Sequence, residues 1–129
     1  MKPLEMSGLV AAVVTPMDAK GELDLEVVPR VLDHLEKDGI TGIYIAGSTG
    51  EGMSLTDEER RAVAEAYVGA AKGRMKTFVQ VGHNSLKASA ELAGHAEAIG
   101  ADAVSATPTG YFKVSGEEEL VEGLLPIVE

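Results

Sequence analysis

The 129-residue chain predicts an α/β fold of parallel βα units, on three observations. Short, β-branched-rich apolar runs recur without clean polar alternation, the mark of strands buried on both faces. Amphipathic stretches of helical period lie between them. Glycines stand where those helices should stop.

The first run is Gly8-Leu-Val-Ala-Ala-Val-Val14, followed by the loop Thr15-Pro-Met17. Asp24 opens a helix carrying Val27, Val28, Val31, Leu32 and Leu35. Pro29 fits such a helix only in its first turn, which moves the start toward Glu26. The second run, Gly42-Ile-Tyr-Ile-Ala46, enters the loop Gly47-Ser-Thr-Gly-Glu-Gly52. Thr56-Asp-Glu-Glu59 is a capping box, and Ala62, Val63, Ala66, Tyr67 and Ala70 form the stripe behind it. Thr77-Phe-Val-Gln-Val81 is the third run and Gly82-His-Asn-Ser85 its loop. Ser85 caps a helix with Leu86, Ala90, Ala93, Ala96 and Ile99. The fourth run, Ala103-Val-Ser-Ala106, leads through Thr107–Val114 to a second capping box, Ser115-Gly-Glu-Glu118, with Leu120, Leu124 and Leu125 behind it. Gly39, Gly73 and Gly100 occupy the positions that end the first three helices.

The order is βαβαβαβα, which implies a parallel sheet with crossover helices. Two architectures fit: a small open doubly wound sheet, or the first four units of a (β/α)8 barrel. A whole barrel needs about 250 residues, so four units cannot close one.

Hydrophobic residues make up 45% and charged residues 25%, the balance of one globular domain. Aromatic content is 4% with no Trp, so the core must be aliphatic. With 21 acidic and 11 basic residues the net charge is −10, which argues against nucleic acid and anionic membrane partners. The longest apolar run, Gly8 to Val14, falls far below the roughly 20 residues that span a bilayer. No secretory signal is read at the amino terminus, and a cytoplasmic protein is expected. The absence of Cys excludes disulfides, thiolate metal sites and a Cys nucleophile. His34, His83 and His95 have no metal-ligand spacing, so no metal is expected. No cofactor is expected either.

Ligands of either architecture bind at the carboxyl ends of the strands. There Gly47-Ser-Thr-Gly-Glu-Gly52 is the most informative segment. Its glycines permit a tight turn whose N–H groups converge, and Ser48 and Thr49 add hydroxyl donors, a combination suited to a carboxylate or phosphate oxygen. No Gly-Lys-Ser/Thr follows, so it is not a P-loop, and it is not Gly-x-Gly-x-x-Gly. The alternative is an ordinary βα turn whose hydroxyls only satisfy backbone. Glu51 reads as a residue gripping nearby backbone rather than a general base. His83, at a strand end, is a candidate to line the pocket. His34 and His95 read as helix-surface or helix-contact residues.

Gly47-Ser-Thr-Gly-Glu51 after an apolar strand resembles the pyruvate-binding motif of the N-acetylneuraminate lyase and dihydrodipicolinate synthase family. Gly8-Leu-Val-Ala-Ala-Val-Val-Thr-Pro-Met17, Gly52-Met-Ser-Leu-Thr-Asp-Glu-Glu-Arg60, Val81-Gly-His-Asn-Ser-Leu-Lys87, Gly100-Ala-Asp-Ala103 and Thr107-Pro108 resemble further family segments, in order. The resemblance implies a class I aldolase: a TIM barrel, tetrameric, in which pyruvate forms a Schiff base with a strand-six lysine. It implies that Ser48, Thr49, Gly50 and Glu51 belong to the substrate-binding bend, and that Thr49 relays protons from a strand-five tyrosine. Tyr111 is the counterpart of a tyrosine that enters a neighbouring subunit's site, although Pro108-Thr-Gly-Tyr111 departs from the family's Pro-x-Tyr spacing.

The strand-five tyrosine and strand-six lysine of the family would both lie beyond Glu129. None of Lys2, Lys20, Lys37, Lys72, Lys76, Lys87 or Lys113 matches that lysine. Residues 1–129 therefore read as an amino-terminal half-barrel, an incomplete domain inactive alone. Ser48 and the run Val81–Ala96 favour the sialic acid lyases of the family, which release pyruvate and N-acetylmannosamine, over the synthases. A keto-acid-binding half-barrel, or one that assembles with a second half, are the competing readings.

Overall fold

The computed structural model describes residues 4–111 and 113–128. Four strands, β1 (Leu9–Ala12), β2 (Ile40–Ile45), β3 (Lys76–Gln80) and β4 (Ala103–Ser105), alternate with four helices, α1 (Val28–Lys37), α2 (Asp57–Ala71), α3 (Leu86–Ala98) and α4 (Glu117–Val128). The sheet order is β1-β2-β3-β4, with every pair parallel. Ala12, Tyr44, Phe78 and Ala103 stand in one row across it.

Side-chain alternation gives the sheet two unlike faces. Ile43, Ile45, Val79 and Val81 turn toward the helices and join Val28, Leu32, Val63, Tyr67, Leu92 and Ala96 in one buried cluster. The alternate residues, Val10, Ala12, Tyr44 and Phe78, are exposed or half-buried. The aliphatic core expected from composition is present, with Tyr67 the one fully buried aromatic among the described residues. Its hydroxyl donates to the Val14 carbonyl at 2.8 Å, and burial pushes the phenol up to about 12.

Helix ends follow local chemistry. Thr56 and Glu59 form the reciprocal capping box at α2, and Ser85 accepts from Ala88 N–H at α3. Gly39, Gly73 and Gly100 take left-handed φ values of 77°, 76° and 85°, which residues with a Cβ rarely adopt. Two expectations shift. Asp24 gives no side-chain cap; a 3-10 turn at Leu25–Val27 precedes α1, which starts at Val28 so that Pro29 falls in its first turn. At α4 the carboxylate that turns back on the Ser115 N–H is Glu119, at 2.7 Å, not Glu118, and the helix begins at Glu117.

The amino ends of the strands are charged. Lys76 Nζ lies 2.6 Å from Asp102, which also accepts from the Thr77 N–H and hydroxyl. Burial raises the Asp102 pKa, but those hydrogen bonds outweigh it and hold the carboxyl below its ordinary value.

Candidate active site

The carboxyl end of β2 turns sharply. Ala46 and Glu51 take left-handed φ values of 56° and 54°. Gly52 N–H donates to Gly47 O, and Glu51 N–H to Ser48 O, both at 3.1 Å. Two glycines allow this closure. A Cβ on Gly52 would run into the Ala46 carbonyl, whose carbon lies 2.7 Å from it, and one on Gly50 would meet Val13 O at 3.0 Å. The Thr15 hydroxyl donates to Gly50 O at 2.6 Å and ties the exit of β1 to the bend.

Gly50 and Gly52 are consequently buried while Ser48 and Thr49 face solvent at the mouth of the strands. Among the described residues, no backbone partner takes the N–H groups of Ser48 or Thr49. The bend thus presents unspent N–H and hydroxyl donors side by side, the equipment for an oxyanion. Glu51 does hold the bend, but through its backbone: its N–H reaches Ser48 O and its carbonyl accepts from Ser54 N–H at 2.8 Å, while its side chain is exposed. The expected grip therefore comes from the left-handed main chain, not from the carboxylate.

The Tyr44 ring lies under this bend. A Cβ on Gly47 would stand 2.7 Å from Tyr44 Cδ1, so only glycine leaves room for the ring. The Tyr44 hydroxyl reaches across β3 to Ser105 Oγ at 2.8 Å.

The β3 exit is fixed by Arg60, 3% exposed, which donates to Gln80 O at 2.7 Å and Gly82 O at 3.1 Å. Burial lowers its pKa, and the nearby Asp57 carboxylate opposes that shift. His83 serves the same junction. Its Nδ1 accepts from Ser85 N–H at 2.8 Å, and its Nε2 faces Asp57 at 3.7 Å. The ring is thus engaged by the loop and the start of α2, and the structure does not bring it into contact with the bend's hydroxyls. His95 bonds Glu65 between α3 and α2 at 2.9 Å, a helix-to-helix contact, and His34 lies on the surface beside Asp38.

The β4 exit carries Tyr111, 79% exposed. Asn84 holds that loop: its Oδ1 accepts from Gly110 N–H at 3.0 Å and Tyr111 N–H at 3.4 Å. Thr15, Tyr44, Arg60, Asn84 and Ser105 were not singled out by sequence reasoning. For Tyr44 and Ser105 the available signal was a polar group within an apolar strand run, on the face opposite the core.

Among the described residues no three His, Asp or Glu side chains converge as a metal site. Lys76 is paired at the opposite end of the strands, and Lys87 lies along the α3 surface 4.0 Å from Glu91. Lys2 lies outside the described residues. No helix among the described residues is long and apolar enough to cross a membrane.

Comparison with known proteins places this arrangement. Residues 5–122 match the Dihydrodipicolinate synthetase family. The N-acetylneuraminate lyase of Danio rerio is 44% identical over 111 residues, which is 84% of this chain and 36% of that protein. The solved N-acetylneuraminate lyase of Proteus mirabilis superposes with a TM-score of 0.92 at 37% identity, covering 97% of this chain and 42% of the other. A prophage protein of the dihydrodipicolinic acid synthase family from E. coli K12, solved in complex with pyruvate, gives a TM-score of 0.86 at 30% identity over 93% of this chain and 40% of its own. The chain thus spans about two fifths of the length of the proteins it matches. They are TIM-barrel enzymes, so the four βα units are the first four of a barrel rather than a small doubly wound sheet. Fold, bend and matched residues together make this chain a member of the Dihydrodipicolinate synthetase family.

Proposed function

We propose that residues 1–129 form the acid-binding half of a class I, pyruvate-dependent aldolase that cleaves N-acetylneuraminate to N-acetylmannosamine and pyruvate. One observation carries the reading: the Ser48 and Thr49 N–H groups, without backbone partners among the described residues, stand beside two exposed hydroxyls at the mouth of the strands. A keto acid anion offers only acceptors, and the N–H and hydroxyl groups of the bend can all donate to it.

In this mechanism the bend fixes the carboxylate of the open-chain sugar acid, the end that becomes pyruvate, through those N–H groups and hydroxyls. Its keto carbon condenses with a lysine amine carried by polypeptide outside these residues, and water leaves. The protonated imine takes up the electrons of the breaking C–C bond as the hydroxyl on the departing carbon gives up its proton and becomes the aldehyde of N-acetylmannosamine. The resulting enamine is protonated, and water returns to free pyruvate and the amine. Thr49 relays protons at the same mouth, and Tyr111, prominent on its loop, serves the site of a neighbouring subunit in a tetramer. Such an enzyme would act in the cytoplasm. The identity to curated N-acetylneuraminate lyases supports the lyase over the synthase, and solved dihydrodipicolinate synthases are also structural neighbours.

A second reading, association with another half-barrel, is favoured by the exposure of Leu9 and Val10 on β1, of Val14 just past its end, and of Val121, Leu125 and Val128 along α4. Pyruvate titration followed by NMR tests the first. Shifts centred on the Ser48 and Thr49 amides are expected, with no covalent adduct after borohydride. An adduct on one of this chain's lysines would overturn the assignment of the amine, and unmoved Ser48 and Thr49 amides would overturn the acid site.

A further inference from the structure

A hydroxyl pair on the open face of the sheet has no part in the bend. Tyr44 and Ser105 belong to β2 and β4, separated by β3, yet their oxygens lie 2.8 Å apart. Both residues are half-buried. Tyr44 alternates with Ile43 and Ile45, which are fully buried against the helices, so its ring crosses the opposite face. That ring passes directly beneath Gly47, the first residue of the bend. The neighbouring polar residue on this face, Gln80, is already engaged at both ends: its carbonyl oxygen accepts from Gly82 N–H and its amide donates to Thr107 Oγ1 at 3.3 Å.

We propose that the Tyr44–Ser105 pair is a further binding element for the acidic substrate. Each hydroxyl owns one proton, and their mutual hydrogen bond consumes one of the two. Whichever residue donates, one O–H is left over, in a half-buried setting under the bend. A 2-keto acid anion has carboxylate and keto oxygens and no donor, so it complements that spare O–H as it complements the N–H groups above. The acceptor in the pair is polarised by the bond it receives, which strengthens its own donation.

This inference rests on the proposed acid site, and the test separates the two. The 129-residue chain is titrated with sodium pyruvate, with Ser48 and Thr49 amide shifts as the readout. Tyr44→Phe keeps the ring under Gly47 and Ser105→Ala keeps the strand, but each alone still leaves one O–H, so the double variant Tyr44→Phe/Ser105→Ala, which leaves none, is the decisive one. It is expected to weaken pyruvate binding 5- to 20-fold while the ligand-free Ser48 and Thr49 signals stay in place. Each single variant, which loses only the polarising partner, is expected to weaken it less than the double. Wild-type affinity in the double variant would overturn the inference and leave the acid site standing. An absence of pyruvate shifts in the wild-type chain would overturn both.

Discussion

The two loops that flank the strand mouth are built in opposite ways. The bend after β2 is locked from below: Gly50 and Gly52 are buried, Thr15 binds it to the exit of β1, and the Tyr44 ring fills the space under Gly47. The loop after β4 stands out into solvent, and its Gly110 and Tyr111 N–H groups meet a single side-chain oxygen, that of the exposed Asn84. The difference matches what each would have to do. A site that captures a small anion gains affinity when its donors need no reorganisation. The role proposed for Tyr111, serving a neighbouring subunit, needs reach instead.

The sharpest way to break the comparison is to put the same methyl group into each loop. Gly52→Ala drives a Cβ into the Ala46 carbonyl, backbone that cannot give way. A loss of about 3 kcal/mol in urea unfolding is expected, with loss of the pyruvate response. At Gly110 a Cβ would meet only Asn84 Oδ1, at 3.9 Å, an ordinary contact. Gly110→Ala should change stability by less than about 0.5 kcal/mol. Equal effects at the two positions would show that the bend is no more constrained than the loop.

A second test works beneath the bend. Tyr67→Phe removes the donor to Val14 O, a buried bond at the exit of β1, and should cost about 1–2 kcal/mol at neutral pH. The pH dependence has a definite sign. The folded phenol is raised to about 12 by burial, above the ordinary value near 10. Its contribution is fully present below about pH 10 and is lost as pH rises through about 12. The stability gap between wild type and Tyr67→Phe should therefore narrow over that window. A gap that widened would contradict the buried, neutral phenol. A smaller effect is expected for Thr15→Val, which deletes the 2.6 Å bond to Gly50 O. About 1 kcal/mol should be lost, with faster amide exchange at Glu51 and Gly52.

These tests also mark what could be read from the chain alone. The βα order and the caps at Thr56 and Ser85 were legible because a cap is written within three or four residues. The start of α1 was legible only through Pro29: the missing N–H and the ring confine it to the first turn, and the structure satisfies that by inserting a 3-10 turn after Asp24. The bend announced itself because its glycines and hydroxyls are adjacent in sequence. The rest of the mouth did not. Tyr44 finds Ser105 across 61 residues, Thr15 finds Gly50 across 35, and Asn84 finds Gly110 across 26. Such pairings depend on strand register and on the curvature of the sheet, which no local spacing records. His83 was legible as a strand-end residue, and it does line a cavity with Leu86, Thr107 and Pro108. Its ring partners, the Ser85 N–H and Asp57, lie at the loop's own junction with α2 and α3 and were not legible from its position.

The smallest expected effect probes the looser loop directly. Asn84 is exposed, so its two hydrogen bonds compete with water, and Asn84→Ala should lower global stability by no more than about 0.5–1 kcal/mol. The local consequence should be larger than the global one. With the acceptor gone, the Gly110 and Tyr111 amides exchange with solvent without unfolding of the chain, and their protection should fall several-fold, while the Glu51 and Gly52 amides keep theirs. Asn84→Asp retains an acceptor oxygen and should restore protection at both positions. If Asn84→Ala instead loosened the bend as much as the loop, the two would be one mechanical unit. The separation between a rigid bend and a tethered loop would then be lost.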